Sequence, residues 1–160
     1  MQEIELTQDK VALVDDEDYE MLMEHKWYAV CDIRARTCYA ATSTGVRPYR
    51  TTLPMHRLIM EAPKGAQVDH INHDGLDNRR ENLRLCTAQE NSRNRTTIKG
   101  GRSRYKGVCW HNQKWYARIM AGWGRVEIGH FDNEDDAARA YNDAAVEHFG
   151  EFALLNMIED

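Results

Sequence analysis

The sequence has little that would tie it to a membrane or to a structural metal. No apolar run approaches the ~18 residues that a membrane-crossing helix needs, and no secretory segment follows Met1. The four cysteines, Cys31, Cys38, Cys86 and Cys109, include no pair at the spacing of a structural zinc site. Cysteines scattered in this way predict free thiols in a reducing cytoplasm. Coiled-coil heptads are missing, so no obligate protein partner is signalled and a monomer is expected. The aromatic motif of the common RNA-reading sheets is missing as well. What remains is ordinary for a globular chain of 160 residues, 42% hydrophobic and 29% charged, and suits one medium domain or two small ones.

One absence is local. Between Asn91 and Arg125 there is no Asp or Glu, against nine Lys and Arg. The acids sit elsewhere: ten in residues 1–32 and ten in 126–160, while 33–64 holds one acid against six basic residues. The net charge of −5 therefore says less about a polyanionic partner than the local field does. Residues 99–125 become a candidate phosphate contact, and the acidic segment 1–32 is read as a solvated face.

Alternation and turn residues lay out the elements. IELTQDKVALVD predicts two short strands about Gln8–Lys10, and Asp15 or Asp16 would cap a helix carrying Tyr19, Leu22 and Met23. Strands are expected at 27–30, 38–42 and 49–53, then a helical turn in MHRLIME stopped by Pro63. Residues 93–103, polar and basic with Gly100 and Gly101, are the expected linker. Beyond it come three strands, KGVCWHN, KWYARIMA and GRVEIGHFD, and a helix from Asn133 to Phe149 with Ala137, Ala138, Tyr141, Ala144, Ala145 and Phe149 on one side. Period two puts Trp115, Ala117 and Ile119, with Val126 and Ile128, on the helix-facing side. The other side carries Lys114, Tyr116, Arg118 and Met120, with Arg125 and Glu127, which suits a sheet laid in a DNA groove. Trp110 and Trp115 are expected in the core, and His25, His130 and His148 as structural or solvated.

The stretch VDHINHDGLDNRRENLRLCTAQEN, residues 68–91, carries the chemistry. A strand through Val68–Ile71, a polar loop, a strand at Leu83–Cys86 and a helix after the capping box Thr87-Ala88-Gln89-Glu90 would bring Asp69 and Asn91 together. A carboxylate and an amide carbonyl are hard oxygens, which suit Mg²⁺ or Mn²⁺ rather than zinc, with water and phosphate completing the shell. His70 is the group that takes a proton near neutrality. Asn82 is read as a brace on the loop. Neighbours on a regular strand face opposite sides, so Asp69 and His70 share a site only if the strand ends or bends there. His56 and Arg57 are open to two roles, phosphate contact or hydrogen bonding at a helix start. His73 is read as a loop residue, with catalysis as the alternative.

This stretch resembles the HNH nucleases of the ββα-metal fold, in the form found in phage-encoded, free-standing homing endonucleases; KWYA, MHRLIM and APKGAQ extend the resemblance upstream. It implies Asp69 and Asn91 as metal ligands, His70 as general base and Asn82 as loop brace. SRYKGVCWHNQKWYARI, RVEIGHFD and AARAYNDAAVEHFGEFALLN resemble the DNA-binding domain of plant Apetala/ethylene-response-factor proteins. Cys109, Arg118 and Glu127 depart from that domain's usual Arg, acidic residue and Trp, so its base preference does not carry over. The expectation is an α+β chain: a ββα-metal HNH nuclease domain at 1–98 (motif core 67–95), then at 99–160 a three-stranded antiparallel sheet packed on one helix. That second domain would contact double-stranded DNA through Arg104, Lys106, His111, Lys114, Tyr116, Arg118 and Arg125. The expected function is a metal-dependent nicking endonuclease in the cytoplasm of a bacterial host, phage-encoded. The alternatives are a DNA-binding regulator with an inactive nuclease fold and, less favoured, a structural or RNA-directed module.

Overall fold

The computed structural model describes residues 1–32, 37–94, 102–122 and 124–159. Its internal contacts form two compact units, Met1–Ala88 and Gln89–Asp160. Most of the expected linker, residues 95–101, lies outside the described residues.

The first unit opens with an antiparallel hairpin, β1 (Gln2–Glu5) and β2 (Val11–Val14). Gln8 and Asp9 turn it with φ of +64° and +52°, and Ile4, Ala12 and Val14 face inward. Helix α1 (Asp16–Met23) follows. Asp15 stands at its N-cap position without bonding the helix; its carboxylate accepts instead from the Arg80 amide at 2.7 Å. Three antiparallel strands come next, β3 (Tyr28–Asp32), β4 (Thr37–Thr44) and β5 (Thr51–Pro54), in that spatial order, then α2 (Met55–Ile59). The last elements are β6 (Gln67–His70) and β7 (Leu83–Cys86), paired antiparallel. One core joins them, with Val14, Leu22, Met55 and Ile59 at 1% exposure or less.

The expectation of free cysteines is corrected in part: Cys31 and Cys38 face each other across β3 and β4 and form a disulfide, while Cys86 and Cys109 keep their thiols outside any disulfide. The acidic segment is also more than a solvated face. Asp18 is buried, and its two oxygens take Arg80 Nε and a terminal nitrogen at 2.9 and 2.7 Å.

Helix α3 (Ala88–Arg93) begins at the boundary between the units. The second unit holds an antiparallel sheet of β8 (Val108–His111), β9 (Lys114–Ala121) and β10 (Gly124–Phe131), with β9 central. Helix α4 (Glu134–Phe149) packs on one face. Asn133 caps it, its side-chain oxygen accepting from the Asp135 amide at 2.8 Å. Ala137, Ala138 and Ala145 meet Ala117 and Ile119, so small side chains let helix and sheet approach closely. Val126 pairs with Ile119 but is 38% exposed rather than packed on the helix. The register shifts between Glu127 and Gly129, and that bulge leaves Ile128 to fill the core.

Candidate active site

The site grows from the pairing of β6 with β7. Their register sets Asp69 opposite Arg84 and His70 opposite Leu83. Strand alternation then sends Val68 and His70 to one face and Asp69 to the other. The ladder ends at His70, where the polar loop begins. Asp69 is 6% exposed, and Arg84 donates to its Oδ2 from Nε at 3.0 Å and from a terminal nitrogen at 2.7 Å. This ion pair, buried on the Asp69 side and half-buried on the Arg84 side, was not foreseen; only the strand register brings the two together.

His70 is equally buried, at 6% exposure. Its ring lies 4.9 Å from that of His56, edge to face, and 5.7 Å from Tyr39 on β4. Its Nε2 is 3.5 Å from the Asn78 side-chain oxygen. Burial lowers the His70 pKa below its ordinary value, against the Asn78 hydrogen bond and the nearby charges of Asp69, Asp74 and Asp77. The imidazole is thus held neutral, the form in which it accepts a proton. His56 is pushed down to about 3, chiefly by burial and then by the charges of His70 and Arg57, and its Nδ1 is buried with no hydrogen-bond partner among the described residues.

The loop between the strands is a mesh of side-chain bonds. The Asn82 amide clasps both ends of it: its oxygen accepts from the Asn72 amide at 2.9 Å and its nitrogen donates to the Asp77 carbonyl at 2.7 Å. Asp77 accepts from Asn72 and from Arg79, whose guanidinium lowers its pKa. Asn78 is fully buried and donates to the Leu76 carbonyl. The backbone of Leu13 on β2 bonds both Leu76 and Asn78, at 2.9 and 2.8 Å, which ties the loop to the N-terminal hairpin. Gly75 passes so close to β4 that a Cβ there would stand 2.4 Å from the Cys38 carbonyl oxygen.

The other candidates divide. Arg57 donates to the carbonyls of Ala62, Pro63 and Ala66, so it staples the turn after α2. His73 is exposed at φ +66°, its amide bonded to the His70 carbonyl. Asn91 lies on α3, beyond the boundary that closes the first unit. Among the described residues no group of three or more His, Cys, Asp or Glu could hold a metal ion. An ion there would need water and phosphate oxygens beside protein oxygens, which is how magnesium binds. The Asp69 carboxylate has the right donor chemistry, and Arg84 fixes its orientation.

In the second unit Lys106 departs from expectation. Its ammonium turns inward to the Arg93 carbonyl, and burial lowers its pKa to about 8. Arg104 lies 3.4 Å from Asp135, and Lys114 lies 3.0 Å from Asp132, both basic groups exposed. His111 and Arg125 are exposed, Arg118 is half-buried, and Tyr116 rests its ring against His130 at 4.9 Å. Arg102, not among the expected contacts, sits over the Trp110 ring at 4.5 Å.

Residues 54–93 match the HNH endonuclease family. A mimivirus protein (Acanthamoeba polyphaga mimivirus), described as an uncharacterised HNH endonuclease, is 40% identical over 108 residues, 66% of this chain and 56% of that protein. Protein 3.8 of Escherichia phage T7 is 38% identical over 61 residues, 37% of this chain and 50% of that protein. A putative AP2/ERF and B3 domain-containing protein of Oryza sativa subsp. japonica is 44% identical over 62 residues, 38% of this chain and 20% of that protein. The chain thus spans about half the length of the viral relatives it matches.

Proposed function

We propose that the protein is a metal-dependent DNA endonuclease of viral origin, homing-endonuclease-like, that hydrolyses phosphodiester bonds and mainly nicks one strand. Residues 99–160 would act as its DNA-binding domain, of the Apetala/ethylene-response-factor type. One observation carries the reading: His70, buried and neutral, ends a strand directly after Asp69, inside the segment that matches the HNH family.

In this reading His70 takes the proton of the attacking water. Asn82 holds the loop so that the strand end keeps its place. Asp69 and Asn91 would hold a Mg²⁺ or Mn²⁺ ion, with Arg84 orienting the Asp69 carboxylate. When bound, such an ion offsets negative charge on the phosphate. The basic face of β9 and β10, with Lys114 and Arg125, would set the polarity of the chain on the duplex.

The test is supercoiled plasmid with the purified chain and Mg²⁺, Mn²⁺ or EDTA. Open circles should accumulate before linear DNA and should vanish with EDTA. His70→Ala should lower the rate by roughly 10²–10⁴-fold while DNA affinity stays, because a neutral base adds little to phosphate binding. Linear DNA appearing at once, at a rate rising as the square of protein concentration, would mean a dimer cutting both strands. The Arg84–Asp69 ion pair favours a second reading, a DNA-binding regulator with an inactive nuclease fold. Tight DNA binding without cleavage in any divalent ion would establish it instead.

A further inference from the structure

The mechanism above leaves one charged surface of the first unit unused. Residues 33–60 contain five arginines and no Asp or Glu. One of the five, Arg57, is consumed by backbone carbonyls. Two others, Arg47 and Arg50, are exposed on the loop between β4 and β5, and neither has an ion-pair partner among the described residues. Between them stands Tyr49 at 81% exposure, and Val46 beside them is 78% exposed.

The loop has a built shape. The Tyr49 amide donates to the Val46 carbonyl at 2.8 Å. Gly45 turns at φ +83°, and a Cβ on it would stand 2.7 Å from the Tyr49 carbonyl oxygen, so no other residue fits without moving the chain. Below the tip the strands carry hydroxyls. Tyr28 pairs with Ser43 at 3.3 Å, and Thr44 pairs with Thr51 at 2.9 Å, both exposed. Arg50 directly precedes β5, in which Thr52 pairs with Ser43. Guanidinium groups, hydroxyls and an exposed aromatic on a protruding hairpin match a sugar–phosphate backbone.

We propose that the β4–β5 hairpin is a second DNA-contacting element, in which Arg47 and Arg50 clasp backbone phosphates of the duplex and Tyr49 lies against its sugars. The proposal rests on the endonuclease reading and adds to it. Strand β4 carries Tyr39, which touches His70, and Thr44 lies five residues on. At ~3.3 Å per residue, Thr44 at the foot of the loop stands roughly 17 Å along β4 from Tyr39, about five nucleotides along one strand. The hairpin would hold the duplex beside the bond to be cut, on contacts independent of base sequence.

The experiment follows the affinity of the full chain for a labelled generic duplex by fluorescence anisotropy, in EDTA, across a salt titration, with plasmid nicking in parallel. Each lost phosphate contact should shallow the plot of log affinity against log salt by about 0.9. Arg47→Ala with Arg50→Ala should shallow it by nearly two, and the paired glutamine variant, Arg47→Gln with Arg50→Gln, should match, with melting curves like the wild type. Lys10→Ala with Lys26→Ala, exposed in the acid-rich segment, should leave the slope alone. A wild-type chain that binds and nicks, with arginine variants of unchanged slope, overturns the hairpin and spares the nuclease reading. Equal losses in the lysine pair overturn its locality, and tighter binding to single-stranded RNA overturns the duplex. A wild-type chain that neither binds nor nicks removes both readings.

Discussion

In the first unit the buried set includes Asp18, Asp69, His70, Asp77, Asn78 and Asn82. In the second, Asn94 apart, the tightest positions are Ala117, Ala137, Ala138 and Ala145, all at 0% exposure. The two units therefore fail differently. Each of these groups in the first is bonded to another polar group, so removing one strands its partner in a dry place. The second is a close helix-on-sheet contact lined by methyl groups, which is harmed most by added volume.

Adding volume should give the largest effect. Gly107 turns at φ +75°, and a Cβ there would stand 2.1 Å from the Tyr141 ring. Gly107→Ala should combine backbone strain with overpacking, about 4 kcal/mol in all, and hydrogen exchange should show α4 and β9 opening. Removing a polar brace comes next. Asn82→Ala leaves the Asn72 amide and the Asp77 carbonyl without the bonds they make now, at about 2–4 kcal/mol, read from chemical denaturation together with a loss of nicking.

pH sharpens the contrast. The folded pKa of His56 is lowered to about 3 from 6.5, so below 6.5 the unfolded chain takes up a proton that the folded chain refuses. Stability of the first unit should fall as pH drops from 6.5 towards 3, with His70 acting in the same sense. His56→Phe, which keeps a ring against Tyr39 and His70, should flatten that fall in a melting series. In the second unit Lys106 is lowered to about 8 from 10.5, so stability there should rise with pH above 8. Tyr141, pushed up to about 12 from 10.0, opposes the rise above pH 10. The smallest effect expected is from Asn133→Ala, which deletes the cap of α4 at about 1 kcal/mol, a shift in the denaturation midpoint with unchanged slope.

The elements themselves were legible because they rest on local chemistry. Alternation, turn residues and the helical spacing of alanines mark β8, β9, β10 and α4 without any distant contact, and the period-two sorting left Lys114 and Arg125 on an open face. Pairing across strands was not legible, because nothing in a single strand states its register. Once Tyr28 is set opposite Ala41, the same register sets Cys31 opposite Cys38, and the disulfide follows. Likewise Val68 opposite Leu85 sets Asp69 opposite Arg84. The inward turn of Lys106 and the meeting of His56 with His70 depend on packing between elements far apart in sequence, where charge counts and spacing carry no information. The Asp15 cap misled for a related reason: a stronger demand, the Arg80 amide, competes for the same oxygen.

The anchoring of the loop to β2 bears on how such a domain can be moved between proteins. The matched segment begins at residue 54, yet the Leu76 carbonyl accepts from the Leu13 amide, the Asn78 amide donates to the Leu13 carbonyl, and Arg80 is gripped by Asp15 and Asp18. Forty residues grafted onto another scaffold would arrive without the donors and acceptors that shape their loop. The portable piece is the whole first unit together with α3, and a transplant that starts at Pro54 should carry the motif's letters without its conformation.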